Sequence, residues 1–340
     1  MVAVTGAATG LGLALAERLA SSEDLEGLLG IDTTAARVDG VVWRTADVRD
    51  PLLATRLQGA RTIVHLATSY DVTEPASQRR ALNVRGTAQV LEAAREIGAQ
   101  RVVLCTSSDV YGARPDNPVP LPDAAPLRAD PDEGTLAGDH LEVERLADHA
   151  SRTGLAVTVL RPATLVGLSS GYDGQLLRQL YGPRLLAVRG IEPLWQLCHV
   201  EDLVGALVLA TLGTVTGGLA VGSGESIEQR RVEVLAGKRR LELPAAVALR
   251  TAERLHRAHV TTSSVRELDH LLGPLVVAAD GLRAAGWEAR WTNEEALTQH
   301  LALRADGRAG TYTAAGATVA LLGTAALVRQ ARRRRRGGVA

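Results

Sequence analysis

The sequence predicts an α/β fold built on a doubly wound parallel sheet, with a smaller C-terminal α/β region beside it. Three observations carry this expectation. Short aliphatic runs alternate with helical patterns through the first 165 residues. Those runs are apolar throughout, as strands covered on both faces are, and do not alternate with polar residues. A glycine-rich stretch joins the first run to the first helical pattern.

The elements follow in order. Strands are expected over 2–5, 27–31, 41–44, 62–66 and 101–106. Helices are expected over 11–20, 51–57 and 76–98, and then over 138–153, ahead of a strand at 156–160. Right-handed crossovers between such strands leave a cleft at their carboxyl ends, where the strand order reverses. Beyond about residue 165 the pattern loosens. A loop-and-helix excursion is expected over 167–190, a short strand over 197–200, a helix over 201–212 and a strand over 219–221. Residues 230–272 read as mostly helical, and 276–285 with Trp287 and Trp291 as a last compact segment. The implied organisation is a core over 1–165, a smaller interleaved region over 166–300 that holds substrate, and a tail over 301–340.

Composition excludes several classes. Lys plus Arg equals Asp plus Glu at 38 each, so the chain as a whole offers no field for a nucleic acid. Cys105 and Cys198 stand apart in apolar runs, which fits buried thiols in a reducing compartment and neither a disulfide framework nor a metal site. Met1 leads directly into the first strand, so no signal peptide is expected and the chain reads as cytoplasmic. The tail qualifies that reading. Residues 309–328 carry no formal charge, and Arg329 and Arg332 to Arg336 follow them. The length and basic flank suit a membrane anchor facing the cytoplasm, while the Ala, Gly and Thr content suits a loose tail.

The stretch from Val2 to Gly12 is the most informative. A strand runs into Gly6, Gly10 and Gly12, and a helix opens behind them. Gly6 serves the tight turn, Gly10 the close approach of a pyrophosphate, and Gly12 the packing of helix on strand. Thr9 and Leu11 supply backbone at the helix N-terminus, which attracts phosphate. Asp32 ends the second strand about twenty residues on, placed to accept hydrogen bonds from a ribose. This is a Rossmann-type dinucleotide site, and a carboxylate there favours NAD over NADP, although Arg37 keeps NADP open.

Further motifs resemble the extended short-chain dehydrogenase/reductase superfamily, in its NAD-dependent epimerase/dehydratase branch. They run in order over about residues 1–300. Asp47-Val48 resembles the pair that contacts adenine. His65-Leu66-Ala67-Thr68 resembles the "HLAA" that passes beneath the cofactor. Asn83 opens a match to "NVxGT". The stretch from Thr106 to Gly112 matches "SSxxVYG". Leu160-Arg161-Pro162 resembles "LRP", His199 to Asp202 resembles "HVDD", and Val221 to Glu225 resembles "VGxGE". The resemblance implies NAD as cofactor, held also by Thr106 and Pro162. It implies a small-molecule substrate such as a nucleotide sugar, changed at a hydroxyl or keto group, and it leaves a homodimer open.

Two departures stand out. The middle glycine lies one residue later than the branch usually places it. More seriously, the family's "YxxxK" is missing. Aligned by the following glutamate, Leu136 takes the Tyr position and His140 the Lys position. Leucine moves no proton. His140 is a candidate for ribose contact or acid–base work, with an exposed helix residue as the alternative. Ser107 matches the substrate-orienting serine, with a backbone cap as the alternative. Tyr111 is expected to pack, and His65 to satisfy backbone at the sheet edge. An oxidoreductase and a catalytically impaired NAD(H)-binding sensor or scaffold, free or membrane-associated, are therefore both open.

Overall fold

The computed structural model describes residues 1–22, 25–71, 74–132, 134–168, 175–248, 250 and 269–305. The expected anchor at 309–328 and the arginine run after it lie outside these residues. Among the described residues no helix is long and apolar enough to cross a membrane.

The core elements are β1 (Val2–Thr5), α1 (Gly10–Ala20), β2 (Leu28–Asp32), β3 (Val41–Thr45), α2 (Leu53–Leu57), β4 (Thr62–His65), α3 (Ala76–Arg80), α4 (Thr87–Glu96), β5 (Arg101–Cys105), α5 (Leu136–Arg152) and β6 (Ala156–Pro162). A π-helical segment, Ala81–Gly86, joins α3 to α4. The smaller region contributes β7 (Thr164–Val166), α6 (Gln175–Arg178), β8 (Arg184–Val188), β9 (Leu194–Trp195), β10 (Leu197–His199), α7 (Val200–Leu212), β11 (Gly217–Val221), β12 (Ile227–Glu228), α8 (Gln229–Leu235), β13 (Arg239–Leu243), α9 (Asp280–Ala284) and α10 (Asn293–Ala305).

Seven parallel strands form the sheet in the order β11-β6-β5-β4-β1-β2-β3. Chain direction across the sheet reverses between β1 and β4, which opens a cleft above their carboxyl ends. The pleat sorts side chains onto two faces. Val2, Val4, Val64 and Val103 join the core under α1 and α7, while Ala3, Ile63, Val102 and Leu104 join the core under α2, α4 and α5. This is why the strands read as unbroken apolar runs. A third core gathers Leu177, Leu185, Trp195, Leu197, Val232 and Leu297 within the smaller region.

Expected and observed elements agree closely through β6. The largest corrections lie beyond it. Within 167–190 the chain forms β8, and within 230–272 it forms β13 between α8 and a helical stretch at 245–248, while 249 and 251–268 lie outside the described residues. These two strands pair in parallel, from Arg184 against Arg239 to Val188 against Leu243. Arg184 opens the short apolar run of β8, and β13 sets Arg239, Arg240 and Glu242 among only two leucines, so neither stood out to a reading based on periodicity.

The C-terminal segment reaches back to the core. The Leu121 N–H donates to the Val276 carbonyl at 2.6 Å, and the Ala278 N–H donates to the Leu121 carbonyl at 2.8 Å. The Asp123 carboxylate accepts from Ala220 N–H and Gly281 N–H, both at 2.7 Å.

His65 ends β4 in full burial, with Nδ1 2.7 Å from Thr5 Oγ1 and Nε2 3.2 Å from Thr87 Oγ1. It bonds two side-chain hydroxyls, where the sequence suggested backbone. Burial pushes its pKa down to about 4. The unfolded chain binds this proton near pH 6.5, so the contribution of neutral His65 is complete above that pH. It falls away as pH drops from about 6.5 toward 4, by about 1.4 kcal/mol per pH unit. Urea unfolding at pH 7 and pH 5 should show a smaller pH dependence in His65→Gln than in the native chain.

Candidate active site

Three backbones converge at the mouth of the cleft. Gly6 has φ of +70°, and a Cβ there would lie 2.6 Å from the Ala67 nitrogen. A Cβ on Gly12 would lie 1.9 Å from the Gly6 carbonyl oxygen. Side chains at these positions would push β1, α1 and the Leu66-Ala67-Thr68 loop apart. Gly10 also sits at positive φ, +53°. Exposed Thr9 precedes α1 without capping it, and no acidic residue lies in the first turn. The leading amides of α1, from Leu11 onward, therefore meet no side-chain acceptor of the helix's own.

Asp32 stands across from this turn. Its Oδ2 accepts from Ala8 N–H at 3.0 Å and its Oδ1 from Thr33 N–H at 2.7 Å. The carboxylate thus ties the glycine turn to the end of β2, and each oxygen keeps further acceptor capacity. Arg37 is exposed. Asp47 is gripped by Arg49, whose hydrogen bonds hold its carboxyl below the usual range. Val48 beside it is buried.

Asn83 is wholly buried in the π-helical segment. Its Oδ1 accepts from Ser69 N–H at 2.7 Å and its Nδ2 donates to the Ser69 carbonyl at 2.8 Å. The amide is taken up in fixing the loop after β4. π-Bulges of this kind recur at functional sites.

Thr106 and Ser107 follow β5. Thr106 is fully buried, and its hydroxyl donates to Glu144 Oε1 at 2.9 Å. Glu144 also receives Arg161 through two bonds, 2.9 and 2.8 Å. Arg161 donates in turn to the Tyr111 hydroxyl at 3.0 Å, and that hydroxyl donates to the Asp123 carbonyl. Tyr111 is thereby committed to structure, and burial raises its pKa. Ser107 Oγ accepts from Asp109 N–H at 3.1 Å, so it caps a short turn and keeps its own proton free to donate. Pro162 ends β6 opposite Val221.

Leu136 opens α5 behind the capping hydroxyl of Thr135. His140, one turn on, is buried rather than exposed, and neither ring nitrogen has a hydrogen-bond partner. Burial, with the nearby Arg79 cation second, pushes its pKa down to about 3, so the ring is neutral near pH 7. The ring packs edge to face with Tyr70 at a centroid distance of 5.5 Å. Arg79 is committed to Asp139 at 2.8 Å, an ion pair buried on both sides that ties α3 to α5.

The structure therefore gathers Gly6 to Gly12, Asp32, the Leu66 to Thr68 loop, Thr106, Ser107 and His140 around the carboxyl ends of β1, β2, β4 and β5. Sequence reasoning missed Tyr70, Arg79 and the Glu144–Arg161 pair. Glu144 served there only as an alignment mark, and Tyr70 lies outside every motif. Among the described residues no group of three His, Cys, Asp or Glu side chains could hold a metal ion.

Breaking the Glu144 network should be costly, because Glu144→Ala strands the buried Arg161 guanidinium. A loss of about 3–5 kcal/mol is expected in chemical unfolding, and Glu144→Gln should lose less.

Comparison with known proteins places this geometry. The family model described as "NAD dependent epimerase/dehydratase family" matches residues 2–217. A Streptomyces protein named 3-diazoavenalumate denitrifying reductase is 35% identical over 238 residues, covering 66% of this chain and 76% of that one. An uncharacterized protein of Mycobacterium tuberculosis is 29% identical over 315 residues, covering 88% and 83%. Among solved structures, MoeE5 in complex with UDP-glucuronic acid and NAD is similar with a TM-score of 0.66 at 22% identity, covering 90% of this chain and 99% of that one. UDP-glucose 4-epimerase of Thermotoga maritima with UDP-glucose gives a TM-score of 0.66 at 18% identity over the same shares.

Proposed function

Because the chain belongs to the NAD-dependent epimerase/dehydratase family, we propose that it is an NAD(H)-dependent oxidoreductase acting at a hydroxyl or keto group of a nucleotide sugar or similar small molecule. The observation that carries this is the glycine turn facing Asp32. Gly6 and Gly12 admit no Cβ, so the backbones of β1, α1 and the loop after β4 meet directly, and Gly10 beside them holds a positive φ. The uncapped N-terminus of α1 suits a pyrophosphate.

The residues fit the dinucleotide. The amides from Thr9 to Gly12 hold the phosphates, and the spare lone pairs of Asp32 take the ribose hydroxyls and disfavour a 2′-phosphate. Asp47 and Val48 flank the adenine, Leu66, Ala67 and Thr68 lie beneath the dinucleotide, and Thr106 and Pro162 border its nicotinamide end. Asn83 acts one step back, through Ser69. Bound NAD supplies a hydride acceptor and NADH a donor. Ser107 orients the substrate oxygen with its free proton, and His140 offers an unmet donor and acceptor to a ribose hydroxyl. MoeE5 and the Thermotoga epimerase, which bind uridine-diphosphate sugars, support the substrate class. The Streptomyces relative, a reductase, supports redox chemistry.

One observation favours a second reading. Leu136 stands where the family's phenol is expected, and the neutral His140 stands where its lysine is expected. An NAD(H)-binding protein without turnover would accommodate both. In that case Leu136→Tyr with His140→Lys creates activity that the native chain lacks.

Calorimetry with NAD, NADH and NADP tests the cofactor assignment. Asp32→Ala should weaken NAD binding about ten- to a hundredfold, the loss of charge-assisted bonds, and narrow the preference over NADP. No heat and no thermal protection with any dinucleotide would refute the assignment.

A further inference from the structure

We propose that the corner of the smaller region formed by Arg184, Lys238, Arg239 and Arg304 is a docking surface for an anionic membrane. The inference does not depend on the NAD(H)-dependent reading. It concerns where the protein works.

The corner is assembled from three elements. β8 begins at Arg184 and β13 at Arg239, and these two residues are register partners in the parallel pair. Both are exposed. Lys238, just before β13, donates from Nζ to the Gly182 carbonyl at 2.5 Å. Arg304 lies in the last turn of α10, and its guanidinium carbon sits 3.5 Å from the centre of the Tyr181 ring. The stretch from Tyr181 to Arg184 thus gathers all four cations.

Among the described residues none of the four has a carboxylate partner. Carboxylates are not lacking in this region. Arg240 meets Glu192 and Glu233 at 2.7 and 2.6 Å, Arg231 meets Glu294 at 2.7 Å, and Arg230 meets Glu192 at 3.4 Å. Like charges set opposite each other on adjacent strands repel. Burial first, and the Arg304 cation second, lower the Lys238 pKa. As internal structure the cluster costs stability, and a negative partner removes that cost.

The chain that follows the corner points to the partner. α10 ends at Ala305, directly after Arg304. Residues 309–328 carry no formal charge, and Arg329 and Arg332 to Arg336 follow. An uncharged stretch of that length with basic groups on both sides suits the headgroup level of one leaflet, because carrying the arginines through hydrocarbon is costly. Each Lys or Arg near an anionic leaflet strengthens binding about fivefold. The folded cations and the arginine run act as two attachments joined by the uncharged stretch, and two weak attachments hold where one does not. The arginine run cannot itself cover the corner, since both are positive. A nucleic acid matches the charge but has no use for the uncharged stretch.

The test is co-sedimentation of the full chain with vesicles of phosphatidylcholine alone and of phosphatidylcholine with an equal part of phosphatidylglycerol. Binding is expected to the second and not to the first, and it should weaken as salt is raised. Arg184→Gln with Arg239→Gln should lower affinity for the anionic vesicles about ten- to thirtyfold. The urea midpoint of that variant should be no lower than the native one, since neither side chain has a partner to lose. Arg145→Gln with Arg152→Gln removes the same charge from exposed pairs on α5 and should leave vesicle affinity within about threefold. Unchanged affinity in the variant at Arg184 and Arg239, an equal loss in the α5 variant, equal binding to both vesicles, or binding to neither overturns the proposal. So does a single-stranded RNA that binds the full chain more tightly than the anionic vesicles do and is lost in the variant at Arg184 and Arg239, which assigns the corner to nucleic acid.

Discussion

The close approach of Gly6, Gly12 and the Leu66 to Thr68 loop is the constraint on which the rest of the molecule depends. The first two positions admit no side chain, because a Cβ would enter the backbone of a neighbouring segment. Their bareness lets α1 start directly above β1 and lets the chain leaving β4 pass beneath. Asp32 locks this arrangement from the side through Ala8 N–H. The turn is therefore shaped by the protein before any ligand arrives, which reduces the ordering cost of binding.

A second layer of order lies beneath the cleft and is polar. Thr106, Glu144, Arg161 and Tyr111 form one connected set, and Arg79 with Asp139 forms another. Each buried charge meets its opposite with additional hydrogen bonds, the condition under which such groups are tolerated in a core. Through these sets α5, β5, β6 and α3 are held in register at the end of the sheet where Ser107 and His140 sit. His140 is the exception, buried with its polar atoms unmet.

Much of this was legible in the sequence, for stated physical reasons. The core strands are apolar on both faces, so their runs stood out, and glycine at a strand–helix junction has few uses. The spacing after the glycine turn placed Asp32, and the family motifs placed Thr106 and Ser107, at strand ends, where the structure has them. Interactions between residues distant in sequence were not legible. Nothing local announces that Asn83 will clamp Ser69, or that Tyr70 will meet His140 seventy residues on. β8 and β13 were missed because each takes its identity from a partner some fifty residues away. The neutrality of His140 follows from burial, which single-sequence periodicity does not report.

The bonds from Leu121 and Asp123 to the segment around Val276 and Gly281 bear on how this chain divides into folding units. The loop that carries Leu121 and Asp123 is stitched to residues more than 150 positions later, beyond the span that the family model covers. The early half therefore cannot complete these bonds by itself during synthesis. That part of the N-terminal half stays unfinished until the segment around Val276 and Gly281 has emerged, so it should mature late and as one cooperative unit with its C-terminal buttress.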